Sequence, residues 1–185
     1  MKQILARNPN VDAALTRPLP GRSGMDSGDT SLGAGSTPLM RAARSGDAAA
    51  MRLLLAKGAN AKLTTKDGNT ALLFAAGVGY RDKNTRGSEA EAVEAVKVAM
   101  ETGLDLNAEN TRGETALDGA AGRGADLIVQ FLVDRGAKVN AKSKQGYTPL
   151  DYALGKAVVG QLPVPHESTV ALIRKLGGIE GKDVK

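Results

Sequence analysis

Short apolar stretches alternate with polar, glycine-bearing segments along most of this chain. The clearest example is residues 36–67, STPLMRAARSGDAAAMRLLLAKGANAKLTTKD. Thr37 can cap a helix, and Pro38 suits the first helical position because its missing N–H and fixed φ cost nothing there. Alanines follow where two short helices must approach closely, and large apolar side chains fill the space beside them at Leu39, Leu53 and Leu54. We therefore predict a helix-turn-helix followed by a hairpin-like loop, called a finger below.

The same features return further along the chain at a nearly constant spacing. The Thr-Pro-Leu that begins at residue 37 is echoed by Thr-Ala-Leu at 70 and 115 and by Thr-Pro-Leu at 148. The separations are 33, 45 and 33 residues, which is a period of 33 with one interruption. Self-similarity of this length is typical of a stacked array in which each unit contacts its neighbours.

Glycines mark the end of each predicted second helix and the turn of each finger. The first set accepts the left-handed conformation in which many helices end, and it comprises Gly58, Gly103, Gly136 and Gly177. The second set stands in the tight turn before the next capping threonine, and it comprises Gly68, Gly113 and Gly146. Several signposts at one period make an accidental match improbable.

This pattern resembles the ankyrin repeat family over residues 36–156. The resemblance implies an all-α solenoid of stacked helix-turn-helix units with β-hairpin-like finger loops. The chain departs from the family's Thr-Pro-Leu-His motif, because the histidine is replaced by Met40, Leu73, Asp118 and Asp151. We interpret the two aspartates as local hydrogen-bonding residues, and the fold prediction does not depend on the missing histidines.

We predict that residues 1–185 form a single domain. Its parts are a partial repeat or N-terminal cap at 1–15, an inserted loop at 16–35, a repeat at 36–67, a repeat with an insertion at 68–112, a repeat at 113–145, and a C-terminal capping repeat with an insertion at 146–179. Residues 5–11 resemble 55–61, so the array begins with the tail of a repeat. An abbreviated cap and a fragment of a longer protein both explain this, and we favour the fragment.

The insertions leave their roles open. Residues 16–35, 80–92 and 157–166 are either lengthened surface loops or binding loops. Ser88 stands three residues before Glu91, a capping box that predicts a helix beginning near Glu89. Asp126 is predicted to cap the second helix of its unit, and residues 180–185 are expected to form a frayed tail.

Composition and charge restrict the functions available. The chain has no cysteine, which excludes disulfides and thiol chemistry. Its net charge of +5 is divided into +6 over residues 1–66, −4 over 67–110 and +3 over 111–185. An acidic middle interrupts the continuous basic stripe that nucleic-acid binding requires.

No apolar run approaches the roughly 18 residues of a membrane span, and the first five residues are too short for a secretion signal. The compartment is undetermined, with the cytoplasm favoured.

No catalytic, cofactor-binding or metal-ligating residue is predicted. The single histidine, His166, excludes the usual zinc sets in a chain without cysteine. Ser27 and His166 belong to units several layers apart, on the order of 30 Å for helices stacked 8–10 Å apart, whereas proton transfer needs about 3 Å. The glycine-rich residues 21–35 contain neither a phosphate-loop lysine pattern nor a dinucleotide-binding signature.

The resemblance implies a non-catalytic scaffold that binds another protein, as a monomer, through its concave face and finger loops. The residues expected to contact the partner lie on finger tips and first helices: Arg41, Arg44, Lys66, Asn69, Phe74, Arg112, Arg123, Tyr147 and Tyr152. Two alternatives stay open, namely an accessory or ligand-binding domain of a larger enzyme and a weak nucleic-acid binder acting through the basic ends. The enzyme alternative requires a pocket that collects Arg22, Asp26 and His166.

Overall fold

The computed structural model describes residues 10–16, 32–79, 88–157 and 164–184. These residues form eight α-helices and one short 3₁₀ helix, Gly181–Asp183, and they contain no β-strand. In chain order the α-helices are α1 Pro38–Arg44, α2 Ala48–Ala56, α3 Ala71–Ala76, α4 Glu89–Glu101, α5 Ala116–Arg123, α6 Asp126–Val133, α7 Pro149–Ala153 and α8 Glu167–Lys175. The predicted all-α class is confirmed.

Threonines begin the first helix of each pair, as predicted. The hydroxyl oxygens of Thr37, Thr70 and Thr115 accept hydrogen bonds from backbone amides three residues later, at 3.3–3.4 Å. Each of these threonines has an extended backbone, which turns the chain into the helix. The cap satisfies an amide that has no partner inside the helix.

The second helices begin in two different ways. Ser88 and Glu91 form the predicted capping box, with the Glu91 amide 3.3 Å from Ser88 Oγ and the Ser88 amide 2.6 Å from Glu91 Oε2. The predicted cap at Asp126 is wrong, because Ala125 holds the cap position and Asp126 is the first helical residue. Its carboxylate instead accepts a hydrogen bond from the Thr169 hydroxyl, which ties α6 to α8.

The helices form two layers. The first helices contact one another in the order α1, α3, α5, α7, and the second helices in the order α2, α4, α6, α8. One apolar core runs between the layers through all four pairs, and it includes the fully buried side chains of Met51, Leu72, Ile128 and Leu132. Each pair therefore buries its apolar face mainly against the next pair.

Backbone hydrogen bonds join neighbouring fingers. The amides of Lys66, Thr111 and Lys144 donate to carbonyl oxygens of the preceding finger, each at 2.9 Å. The glycine of each turn has a φ of +74° to +83°, in the region that side chains avoid. The fingers are thus hairpin-like turns held side by side, as predicted.

The C-terminal residues dock on the last helix pair, so the prediction of a frayed tail is wrong for residues 180–184. The Gly181 amide donates to Asp151 Oδ2 at 2.7 Å, and Lys156 Nζ lies 2.5 Å from Glu180 Oε2. Gly181 is buried, because it fits against the chain at the start of α7. Arg174 and Lys175 on α8 are exposed, as predicted for a cap that faces water.

The described part of the N-terminal segment packs on the first helix pair. The Asn60 amide donates to Asp12 Oδ1 at 3.0 Å, and the backbone of Leu15 exchanges hydrogen bonds with residues 35 and 36. Predictions made for residues 1–9, 17–31, 80–87 and 158–163 lie outside the described residues. Among the helices of the described segments, none is both long enough and apolar enough to cross a membrane.

We predict that Gly119→Ala destabilises the chain and that Gly122→Ala does not. A Cβ on Gly119 would lie 2.5 Å from the Val78 backbone nitrogen, so α5 would have to move away from α3. Overpacking of this kind costs about 1–3 kcal/mol. Gly122 lies on the same helix, and its Cβ would make an ordinary 3.6 Å contact with the Tyr152 ring.

Thermal unfolding followed by circular dichroism compares the two variants. Gly122→Ala is the matched control and should be neutral or stabilising by up to about 1 kcal/mol, because alanine favours helix over glycine. Equal melting temperatures for wild type and Gly119→Ala would contradict the close packing.

Candidate functional site

A hydrogen-bonded group of polar and aromatic side chains lies where the finger of residues 107–114 meets its neighbours. Asn110 is at its centre. The Asn110 Nδ2 donates to Asn69 Oδ1 at 2.9 Å and to Glu114 Oε2 at 2.8 Å. Its Oδ1 accepts from the amides of Arg112 and Glu114 at 2.9 and 3.0 Å. One buried side chain therefore holds the turn and links it to the preceding finger.

Glu114 holds a cation and a phenol at the same time. Arg112 Nε and Nη2 lie 3.0 and 2.7 Å from Glu114 Oε2, and the Tyr152 hydroxyl donates to Oε1 at 3.2 Å. Glu114 is only 9% exposed, whereas the Arg112 side chain is 59% exposed. A buried carboxylate therefore fixes the position of a guanidinium that still faces solvent.

Two tyrosines complete this group, which we call the finger cluster: Asn69, Asn110, Arg112, Glu114, Tyr147 and Tyr152. The rings of Tyr147 and Tyr152 meet edge to face, with centroids 6.3 Å apart and planes at 83°. Burial and the neighbouring Glu114 carboxylate raise the pKa of Tyr152 above its ordinary value. Its hydroxyl thus keeps the proton that it donates to Glu114.

Asp118 is a buried carboxyl beside the finger cluster. Its Oδ2 accepts from the Thr115 amide and hydroxyl, both at 2.8 Å, whereas Oδ1 has no hydrogen-bond partner among the described residues. Burial raises the pKa of Asp118 to about 7, the Thr115 hydrogen bonds oppose this shift, and the charges of Glu114 and Glu109 add to it. The carboxyl is therefore partly protonated near neutral pH.

Asp151 occupies the equivalent position in the last helix pair and behaves differently. Its Oδ2 accepts from Thr148 and from the Gly181 amide, and its Oδ1 lies 3.2 Å from Lys156 Nζ. Burial alone would raise the pKa of Asp151, but these donors outweigh it and the pKa is lowered. The interpretation of Asp118 as a local hydrogen-bonding residue is confirmed, whereas Asp151 bonds both locally to Thr148 and to Gly181, 30 residues away.

The predicted contact residues divide into three groups by exposure. Arg41, Lys66 and Arg112 are exposed. Arg123, Tyr147 and Tyr152 are half-buried, and Arg44, Asn69 and Phe74 are buried. The structure brings Asn69, Arg112, Tyr147 and Tyr152 together in the finger cluster, and the remaining five residues do not belong to it.

The expectation that Phe74 is exposed is wrong. Phe74 is 2% exposed and belongs to the apolar core, because α3 lies between α1 and α5 and packs on α4. Arg44 is also buried, and its Nη2 donates to the Gly79 carbonyl oxygen at 2.8 Å. Asn69 is buried as a partner of Asn110. These three side chains are therefore buried within the array and do not lie on its surface.

Asn110 is a residue that the sequence-based prediction missed. Its Oδ1 accepts from the amide four residues later, and the hydroxyls of Thr65 and Ser143 do the same in their own fingers. The signal that could have identified Asn110 is therefore the polar side chain that stands four residues before the end of each finger. Asn110 differs from the other two because its amide group also donates across to Asn69.

The described residues show no grouping suited to a metal ion, taken as three or more His, Cys, Asp or Glu side chains. His166 Nε2 lies 3.2 Å from the Gly122 carbonyl oxygen, against the end of α5. Arg22 and Asp26, which the enzyme alternative would bring to His166, lie outside the described residues. What the finger cluster offers chemically is a fixed guanidinium, two phenol rings and a shared carboxylate.

We predict that Asp118→Asn removes a loss of stability that wild type shows as pH rises. The folded chain keeps the Asp118 proton up to about pH 7, whereas the unfolded chain releases it near the ordinary value of 3.8. Because the folded state binds more protons between these values, stability falls as pH rises through them. The difference between these two pKa values corresponds to a loss of roughly 4 kcal/mol in the free energy of unfolding once the pH has passed both.

Urea unfolding at several pH values from 4 to 8 measures this dependence. Asp151→Asn is the matched control, since the pKa of Asp151 is lowered and its contribution is lost only as pH falls below its ordinary value. The control should keep the wild-type decline between pH 4 and 7. A decline that persists unchanged in Asp118→Asn would contradict the assignment.

Comparison with known families agrees with this architecture. A model of ankyrin repeats in three copies matches residues 4–83, and one of ankyrin repeats in many copies matches residues 100–153. Together the matches cover more than half of the chain. No curated protein matches it. Ankyrin repeats are generally protein–protein interaction modules and typically non-catalytic. With repeats matched over most of its length and four stacked helix pairs in its structure, the chain belongs to the ankyrin repeat family.

Proposed function

We propose that the chain binds a partner protein, as a monomer and a single domain, through the concave side of the array. The contact surface in this proposal is the finger face, which comprises the finger turns and the exposed ends of α1, α5 and α7. Six of the predicted contact residues are exposed or half-buried: Arg41, Lys66, Arg112, Arg123, Tyr147 and Tyr152.

The observation that carries the proposal is that the Glu114 carboxylate bonds both Arg112 and Tyr152. Arginine and tyrosine dominate the binding energy of protein interfaces when they are well packed. Here both are fixed before any partner arrives, because one carboxylate bonds the guanidinium and the phenol. Fixing side chains in advance reduces the entropy lost on binding. Tyr147, held edge to face against Tyr152, extends the same surface.

The row of fingers supplies the rest of the surface. Hydrogen bonds from finger to finger hold the turns in line, so exposed tip residues keep fixed spacings. Lys66 and Lys144 are exposed tip residues of two fingers, and the described part of the chain provides no ion pair for either. These ammonium groups are positioned to meet acidic or carbonyl groups of a partner.

We predict that Arg112→Ala and Tyr147→Ala each weaken partner binding by about tenfold or more, the effect expected of central interface residues. The partner is first captured from a lysate of the source cells with the wild-type chain, identified and purified. Its dissociation constant is then measured by isothermal titration calorimetry with each variant. Because Arg112→Ala removes the cation from the buried Glu114 and Tyr147→Ala removes a ring contact, the melting temperature of each variant is measured first, and binding is compared at a temperature where both are folded.

Leu127→Ser provides the matched control. Leu127 is 56% exposed at the start of α6, in the layer of second helices, and should not contact a partner on the finger face. Binding that is weakened by Leu127→Ser, but not by Arg112→Ala or Tyr147→Ala, would contradict the proposal. Salt-sensitive retention of the chain on a polyanion column, without a protein partner, would favour the nucleic-acid alternative.

A further inference from the structure

The last helix pair carries an ordered segment of the chain on its outer end. Residues 177–184 follow α8, and they contact the finger and first helix of that pair instead of extending into solvent. Asn140 Nδ2 donates to the Gly177 carbonyl oxygen at 3.1 Å, and the Ile179 amide donates to Asn140 Oδ1 at 2.9 Å.

The hydrogen bonds of Asn140 to residues 177 and 179 repeat a pattern found one repeat earlier. Asn107 forms the same two bonds one repeat earlier, to the Gly136 carbonyl oxygen at 3.3 Å and from the Lys138 amide at 2.9 Å. After Ile179 the chain no longer follows the preceding repeat. It turns into the 3₁₀ helix Gly181–Asp183 and packs at the start of α7.

We propose that this end of the array is a peptide-binding site for a segment in which an acidic residue is followed by glycine, and that residues 179–181 are its intramolecular occupant. We call it the end site, and it comprises Gly146, Thr148, Asp151 and Lys156. The end site is separate from the finger cluster, so this inference does not rest on the proposed function.

The end site recognises the peptide backbone through two buried side chains. The Thr148 hydroxyl donates to the Ile179 carbonyl oxygen at 2.7 Å, and Asp151 Oδ2 accepts from the Gly181 amide at 2.7 Å. Thr148 is 0% and Asp151 4% exposed. A buried donor and a buried acceptor therefore meet one carbonyl and one amide two residues apart, which fixes the register of the bound segment.

Steric fit selects glycine. A Cβ on Gly181 would lie 1.8 Å from the Gly146 carbonyl oxygen and 3.1 Å from Asp151 Oδ2. The nearest obstacle is backbone, which cannot turn aside as a flexible side chain can. Any residue other than glycine must therefore withdraw from the site and lose the bond to Asp151.

Charge selects the acidic residue before the glycine. Lys156 Nζ lies 2.5 Å from Glu180 Oε2 and 3.2 Å from Asp151 Oδ1, so one ammonium bridges the occupant and the site. Without an acidic residue at that position, Lys156 keeps a single carboxylate. The preceding Ile179 supplies the bonded carbonyl and is 41% exposed, so the site places no requirement on the side chain at that position.

The equivalent position of the preceding helix pair shows what the occupant contributes. The Thr115 amide donates to Asp118 as the Thr148 amide donates to Asp151, but Asp118 Oδ1 finds no donor in the described residues. Asp151 accepts a hydrogen bond from the Gly181 amide and forms an ion pair with Lys156. The segment that docks at the end site is short and partly exposed, and segments of this kind open locally at low cost. A peptide of the same order on another protein is thus able to replace it.

The test uses the full chain with Gly181→Ala, which we expect to release its own segment, and a fluorescein-labelled peptide of residues 177–185. Fluorescence anisotropy should show saturable binding to Gly181→Ala. Wild type should bind at least tenfold more weakly because its site is occupied. Asp183→Ala, which changes an exposed residue of the docked segment, is the matched control and should behave as wild type. A peptide that itself carries Gly181→Ala should lose at least tenfold in affinity.

Equal binding of the two peptides, or no binding by the Gly181→Ala chain, would overturn the inference. If that variant fails to fold, ¹⁵N-labelled wild type replaces it. Excess unlabelled peptide should then reduce the intensity of the docked Gly181 amide resonance, and the Gly181→Ala peptide should leave it unchanged. A spectrum that neither peptide alters would equally contradict the end site.

Discussion

Burial of apolar surface between neighbouring helix pairs is the interaction on which the rest of this structure depends. The helices are short, between five and thirteen residues, and isolated helices of that length are marginal in water. They persist because each pair covers the apolar face of the next, as the continuous core shows. This requirement also explains the small residues between layers. At Gly119 the backbone of α5 approaches Val78 so closely that even a methyl group does not fit.

Close stacking also places the fingers. Adjacent pairs contact one another through both helix layers, and backbone hydrogen bonds connect their fingers. Glu114 benefits from this arrangement because Tyr152 reaches it from the next pair, 38 residues along the chain. The result is a surface whose side chains are held by hydrogen bonds. It suits a family whose repeats generally serve as protein interaction modules.

The Thr-x-x-Asp capping box occurs twice, and the pKa of its aspartate is raised in one copy and lowered in the other. Thr115 with Asp118 and Thr148 with Asp151 form similar capping boxes, in which the threonine amide donates to the carboxylate at 2.8 and 3.1 Å. The inner box lies under further layers, so desolvation raises the pKa of its carboxyl. The outer box meets Lys156 and the Gly181 amide, and the pKa of its carboxyl is lowered. Position in the array therefore decides the charge, although the local sequence is alike.

The sequence by itself determined the repeat, the threonine caps, the finger turns and the start of α4 at Glu89, because these features depend on residues within about four positions of one another. It also pointed to Arg112, Tyr147 and Tyr152, which the structure brings together in the finger cluster, and their contact with a partner stays a prediction. Only the tertiary structure decided that Phe74 is core, that Asp126 bonds to Thr169 instead of capping its helix, and that Gly181 reaches Asp151 from 30 residues away. These outcomes depend on which distant groups meet across the stack, and the periodicity of a single unit carries no information about that.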